Sequence, residues 1–135
     1  MRTRMALAIL AAVPFFALSA HDCGVSIYLY WSPYALLTVI GGTSAVLAAA
    51  FPWPVARAAF RAEATPETEA FLRLGRRTVW YLACANSLIG VVALLHALDE
   101  PSAIGPSLSI ALLSLLYGCF LGEGVFGTAL AGRGP

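Results

Sequence analysis

Polar side chains are rare in the apolar parts of this sequence, and those few are the candidates for chemistry. Glu123 is the only acidic residue deep inside an apolar run, and a charge within a membrane usually has a function. It lies about 24 Å from Ser107 along a helix at about 1.5 Å per residue, near the level of Arg76 and Arg77. Two interpretations stay open: an ion pair with one of these arginines, or a proton-carrying role at the inner mouth of a channel.

Weakly polar and small residues recur along the same runs. Asn86 is expected to bond to a neighbouring helix, and His96 to lie at the membrane surface. The small residues favour close helix packing, although they equally fit a narrow, weakly polar pore between several copies. They are Gly41, Ala45 and Ala49 in one run, Ala83, Ser87 and Gly90 in the next, and Ser107, Ala111, Ser114, Gly118 and Gly122 in the last.

The composition places these residues in a membrane protein. The chain has 135 residues, of which 60% are hydrophobic and 11% charged, whereas soluble domains carry about 25% charged residues. The Cys, His, Asp and Glu residues show no metal-site or disulfide spacing, and no catalytic constellation occurs, so neither an enzyme nor a cofactor or metal site is predicted. The net charge of +1 offers no support for nucleic-acid binding.

Four apolar runs predict an all-α protein with four transmembrane helices in a single membrane domain, residues 1–135. The predicted spans are about 5–20, 34–51, 78–98 and 107–130, each near the ~20 residues that cross a bilayer core. The first run also resembles a signal peptide, with a basic start and small residues at its end.

The arginines predict the orientation. All eight basic residues are arginine, and with the N-terminus inside they all fall on the cytoplasmic side. The positive-inside rule therefore predicts N-in, C-in topology, in the inner membrane of a bacterium.

The predicted cytoplasmic segment is short, residues 52–77. Pro52 and Pro54 are expected to end the second span. Thr65 and Pro66 are typical of a helix start, so the third helix is predicted to extend from Pro66 through this segment to Leu98. The segment fits a basic collar that attracts anionic lipid, or a site for a protein partner.

A specific turn joins the last two spans. Asp99 and Glu100 are expected to end the third helix in water, Pro101 to stop it, and Gly105 and Pro106 to restart the chain as the fourth helix.

Two stretches resemble the flagellar stator A-subunits, the MotA group of the MotA/TolQ/ExbB proton-channel superfamily. One is "NSLIGVVALLHALDEPSAIGPSLSIALLSLLYG", beginning at Asn86, and the other is "LLTVIGGTSAVLAAAFPW", beginning at Leu36. The matching positions in the first are Ser87, in the place of a Thr, and Gly90, Leu98, Asp99, Pro101, Ile104, Gly105, Pro106, Ala111, Leu112, Tyr117 and Gly118. In the second they are Gly41, Gly42, Thr43, Phe51 and Pro52.

The resemblance implies a homopentamer around two copies of a MotB- or ExbD-like single-span partner that carries the ion-binding Asp. Ion flow, of protons here, would drive rotation and mechanical work. The ion path would be lined by Ser87, Gly90, Ser114, Tyr117 and Gly118. Gly41, Gly42 and Pro52 would serve helix packing, and Asp99, Pro101, Gly105 and Pro106 would form the periplasmic rim against which the partner seals.

The sequence also departs from that pattern. The cytoplasmic segment is too short for the large domain by which flagellar stators push the rotor, Leu115 replaces a Thr, and Glu123 replaces an Asn. A non-conducting scaffold or assembly protein that retains the fold is therefore the alternative. A small multidrug exporter is disfavoured because the first run contains no acid.

Overall fold

The computed structural model describes residues 32–61, 63–96 and 98–132. These residues form helices joined by short connections, and no strand occurs among them. Helix α1 consists of Pro33–Leu36, a π-helical stretch Leu37–Gly41, and Gly42–Ala50. Helix α2 is Trp53–Phe60 and α3 is Pro66–His96. Helix α4 consists of Pro101–Cys119, a π-helical stretch Phe120–Gly127, and Thr128–Ala131.

Three of these helices are long and apolar enough to cross a membrane: Pro33–Ala50, Pro66–His96 and Ile104–Ala131. The length and composition of these helices thus confirm the prediction of an all-helical, multi-pass membrane protein. The predicted first span, Arg2, Arg4 and Arg133 lie outside the described residues, so four spans and their orientation stay a prediction.

Helix α1 begins where Ser32 caps it, since the Ser32 hydroxyl accepts a hydrogen bond from the amide of Ala35 at 3.4 Å. It ends at Ala50 because Phe51 and Pro52 are both extended.

Helix α2 corrects the expectation for the two prolines. Pro52 follows α1 as predicted, but Pro54 lies in the first turn of α2 and starts that helix instead of ending the previous one. A proline in the first helical turn sacrifices no intrahelical hydrogen bond, which is the physical reason. Phe51 and Phe60 both pack edge-on against Phe71. The ring centroids are 5.6 Å apart for Phe51 and 6.4 Å apart for Phe60, and the Phe60 contact joins α2 to α3.

Helix α3 starts where the sequence predicts. The Thr65 hydroxyl accepts from the amide of Thr68 at 3.3 Å, and the buried Thr68 hydroxyl donates to the carbonyl of Glu63 at 2.7 Å. The helix continues to His96.

The connection between α3 and α4 is shorter than predicted. Helix α4 already starts at Pro101, and Pro106 lies inside it, so Gly105 and Pro106 do not begin the helix. Pro101 loses no hydrogen bond at the first helical position. Pro106 is exposed near the helix start, where water can satisfy the carbonyl that a proline leaves unpaired.

Helices α3 and α4 form an antiparallel hairpin. We call the end with Arg73, Arg76 and Arg77 the basic end, and the end joined by residues 98–100 the turn end. Helix α1 lies beside the half nearer the basic end: Gly42 packs on Leu82, Phe51 packs on Phe71, and the Ser32 amide bonds to the Tyr117 hydroxyl. The apolar core is accordingly concentrated there. It includes Val39, Leu47, Phe71, Leu72, Val79 and Phe126.

Candidate functional site: the interface of α3 and α4

Small residues bring the backbones of α3 and α4 together. A Cβ atom added to Gly90 would lie 2.7 Å from the backbone nitrogen of Ala111, and one added to Gly118 would collide with the Cβ of Ala83. No larger side chain fits at either place without separating the helices. Both glycines were candidates for an ion path, and within one subunit they lie in a closed helix contact.

A buried hydrogen bond lies between these two contacts. The Asn86 side-chain amide donates to the Ser114 hydroxyl at 2.6 Å, and that hydroxyl donates to the carbonyl of Ile110 at 2.6 Å. Asn86 is 7% exposed and Ser114 0%. A polar pair without access to solvent must satisfy itself, so it fixes the register of α3 against α4.

The other predicted polar positions lie at the edges of this interface. Ser87 is half-buried next to Asn86. Tyr117 is also half-buried, and its hydroxyl accepts from the backbone amide of Ser32 at 3.1 Å. Tyr117 therefore connects α4 to the start of α1.

Closer to the basic end, the π-helical stretch of α4 carries Glu123. Two nitrogens of Arg76 donate to the Glu123 carboxylate. Nε lies 3.0 Å from Oε1, and Nη2 lies 2.8 Å from Oε1 and 2.7 Å from Oε2. The Trp80 indole nitrogen donates to Oε1 at 3.2 Å. The carboxylate is thus held by two residues of α3, as the ion-pair interpretation requires.

Arg77 does not join this ion pair. Its Nε donates to the Tyr81 hydroxyl at 2.9 Å, and its guanidinium lies 5.3 Å from the centroid of the Tyr81 ring. Arg76 and Arg77 thus have different roles although they are adjacent.

Trp80 is a residue of the candidate site that sequence reasoning missed. It donates to Glu123, and its indole nitrogen lies 2.9 Å from where a Gly122 side chain would begin. Its spacing of four residues from Arg76 was the available signal, since residues i and i+4 share one face of a helix.

Of the residues predicted to form the turn or to serve helix packing, some make contacts and others are exposed. A Cβ added to Gly42 would lie 2.7 Å from Leu82, so Gly42 serves helix packing, whereas Gly41 approaches only Leu37 of its own helix. Asp99, Gly105 and Pro106 are exposed, and the backbone of Pro101 starts α4. Pro52 is exposed between α1 and α2.

Two known proteins are similar to part of the chain. The chemotaxis protein PomA of Vibrio alginolyticus is 50% identical over 41 residues, 30% of this chain and 16% of PomA. Motility protein A of Aquifex aeolicus is 46% identical over 36 residues, 27% of this chain and 14% of that protein.

The chain therefore covers far less than two thirds of the length of either relative. No family model matches it, and no solved structure matches it. Both relatives are named for chemotaxis or motility, and neither name describes an enzyme. The two similarities confirm, for less than a third of the chain, the predicted relationship to the MotA-like stator proteins.

Proposed function

We propose that this protein is the ring-forming subunit of an ion-driven motor of the stator type. Five copies, each with four spans in N-in, C-in orientation in the bacterial inner membrane, surround two copies of a single-span partner. Protons pass between ring and partner, and their flow becomes mechanical work. The observation that carries this proposal is the similarity to two motility proteins at 50% and 46% identity.

The geometry of α3 and α4 supports a fixed wall around a moving partner. The hairpin is closed by Gly90, Gly118 and the Asn86–Ser114 hydrogen bond, so each subunit can turn as a rigid body. Each subunit then offers its exposed helix faces to the partner or to the next copy. Leu88, Ile89, Val92 and Leu95 on α3 are between 59% and 66% exposed.

The placement of acids supports an ion carrier on the partner. In the described parts of α3 and α4, the middle of the hairpin contains Asn86 and Ser114 and no carboxylate. Glu123 lies near the basic end and is already neutralised by Arg76. A proton relay through the membrane centre therefore needs an acid from another chain, as the implied partner Asp would provide.

A partner-dependent flux assay tests this function. The chain is reconstituted into liposomes with and without the product of a neighbouring gene that encodes a single-span protein with an Asp early in its helix. Proton uptake is expected only with both proteins, and Asp→Asn in the partner abolishes it. Glu123→Gln slows the flux without abolishing it, because Glu123 lies at the mouth. Equal uptake without the partner would contradict the proposal.

One observation favours the alternative of a non-conducting scaffold. Gly90, Ser114 and Gly118, three of the five positions implied for the ion path, are buried in contacts within the subunit. An intact ring that binds the partner but shows no partner-dependent flux would favour the scaffold over the motor.

A further inference from the structure

A cavity with basic and aromatic walls lies beside the basic end of the hairpin. It has a volume of 440 Å³ and is lined by α3 and α4 alone. Its walls include Arg73, Arg76, Arg77, Trp80 and Tyr81 of α3, together with Glu123 of α4.

Two of the three arginines in this cavity are already paired. Arg73 forms an ion pair with Glu69 at 2.7 Å, and Arg76 forms one with Glu123 at 2.7 Å. Arg77 instead donates one N–H, from Nε, to the Tyr81 hydroxyl. A guanidinium has five N–H donors, so the terminal amino groups of Arg77 stay available. Within the described residues, Arg77 has no carboxylate within ion-pair distance.

The hydroxyl of Tyr81 adds a donor beside this charge. It accepts from Arg77, so its own proton is directed elsewhere, and the side chain is 60% exposed. A guanidinium with a neighbouring phenol is suited to the oxygens of a phosphate group.

The position of the cavity identifies the kind of phosphate. Helix α1, a membrane-span candidate, ends at Ala50 near the level of Phe71, less than two helical turns from Arg77. The cavity therefore lies where the apolar spans meet water. Basic pockets between transmembrane helices at this level bind lipid headgroups, and aromatic rings such as Trp80 and Tyr81 favour the same depth.

We propose that Arg77 and Tyr81 form a binding site for the headgroup phosphate of an anionic phospholipid. The acyl chains extend from the cavity into the surrounding bilayer. Both oxygens of the Glu123 carboxylate accept from Arg76 or Trp80, and no ion pair joins Glu123 to Arg77. This site goes beyond the proposed motor function and does not depend on it.

Native mass spectrometry of the full chain in an uncharged detergent tests the site. The protein is titrated with a phosphatidylglycerol, with a phosphatidylcholine of the same acyl chains, and with inorganic phosphate. We expect phosphatidylglycerol to bind more tightly than phosphatidylcholine. Arg77→Gln should lower the affinity for phosphatidylglycerol by about fivefold, the contribution of one arginine near an anionic surface. Tyr81→Phe keeps the ring, removes one donor, and lowers affinity by about threefold.

Arg61→Gln is the matched control. It removes the same charge from an exposed residue that lies outside the cavity. An equal loss in Arg61→Gln would show unspecific attraction and overturn the site, as would equal affinity for the two lipids.

Two further outcomes separate other ligands from a lipid. Inorganic phosphate that binds alone with the same dependence on Arg77 would indicate a free-anion site and overturn the lipid proposal. A change in the number of associated copies in Arg77→Gln, at unchanged lipid per copy, would assign Arg77 to a contact between subunits and overturn it too. Thermal unfolding of each variant confirms that it is folded.

Discussion

The two halves of the α3–α4 hairpin are held together by different kinds of contact. The half near the turn end is regular α-helix whose backbones touch through Gly90 and Ala111, with the Asn86–Ser114 bond buried beside them. The half near the basic end contains the π-helical stretch of α4, and long side chains make its cross-helix contacts. Phe126 packs on Gly75 within the apolar core. Arg76 and Trp80 donate to Glu123.

The difference lies in what each half can tolerate. Close backbone contact is intolerant of added volume, because protein interiors are already packed to crystal-like density. An ion pair whose side chains are 46% and 44% exposed is held in high dielectric and contributes little stability. We therefore expect the close backbone contacts to fix the register of the hairpin, and the Arg76–Glu123 pair to adjust around ligands, lipid or a partner. Since π-helical stretches often occur at functional sites, the location of this one agrees with that division.

The largest effect is expected for Gly118→Leu. The new side chain must push against Ala83 and separate the helices, which costs about 3 kcal/mol. Gly124→Leu is the control in the same helix, because an added Cβ there has no neighbouring atom within 4 Å. The free energy of unfolding is measured by titration with a denaturing detergent. Equal losses in the two variants would show that close contact at Gly118 is unimportant.

The second effect concerns the buried polar pair. Asn86→Leu keeps the branched shape and the number of side-chain heavy atoms but removes the hydrogen bond to Ser114, and the loss is expected to be about 1 kcal/mol. A double-mutant cycle with Ser114→Ala isolates the coupling, which should be at least about 0.6 kcal/mol. Ser44→Ala, whose hydroxyl bonds only within its own exposed helix turn, should change stability very little. Zero coupling would remove the distinction between the halves.

A smaller effect is expected for Glu123→Gln. Because the Arg76–Glu123 pair is half-exposed, its removal should lower the free energy of unfolding by less than about 1 kcal/mol. The same variant should make the π-helical stretch more accessible to hydrogen exchange, since Arg76 and Trp80 lose their shared carboxylate. A loss larger than that of Asn86→Leu would reverse the order of the two halves.

The smallest effect is expected for Glu69→Gln at the basic end of α3. Glu69 and Arg73 form an exposed i,i+4 pair at 2.7 Å, which contributes about 0.3 kcal/mol. Salt should remove the difference between this variant and the wild type, because exposed charges are screened. A difference that persists in 1 M salt (a Debye length of about 3 Å) would show a buried role.

Local chemistry made part of this fold predictable. Thr65 and Pro66 predict the start of α3 because a hydroxyl cap and a proline in the first turn act within a few residues. The small-residue stripes predict the faces on which α3 and α4 meet, since spacing alone defines a helix face. The resemblance at Asn86 to Gly118 likewise lies in one continuous stretch of sequence.

Features that depend on distant contacts were not predictable in this way. Pro54 and Pro106 fit a helix end, a first turn or an early helical position equally well, and only the neighbouring elements decide. The π-helical stretch carries Glu123 and Phe126, whose contacts lie on α3, more than forty residues away in the sequence. Arg76 and Arg77 have different partners because they lie on different faces of α3. Their adjacent positions in the sequence do not reveal which partner each one meets.

Subunit count is the most direct test of the central claim that this hairpin is the repeating unit of a motor ring. Native mass spectrometry would be performed on the purified chain, alone and co-expressed with the neighbouring single-span protein. We predict five copies alone, and five copies with two of the partner when both are present. A monomer or dimer that retains no partner would contradict the account and leave the similarity to the motility proteins without a shared function.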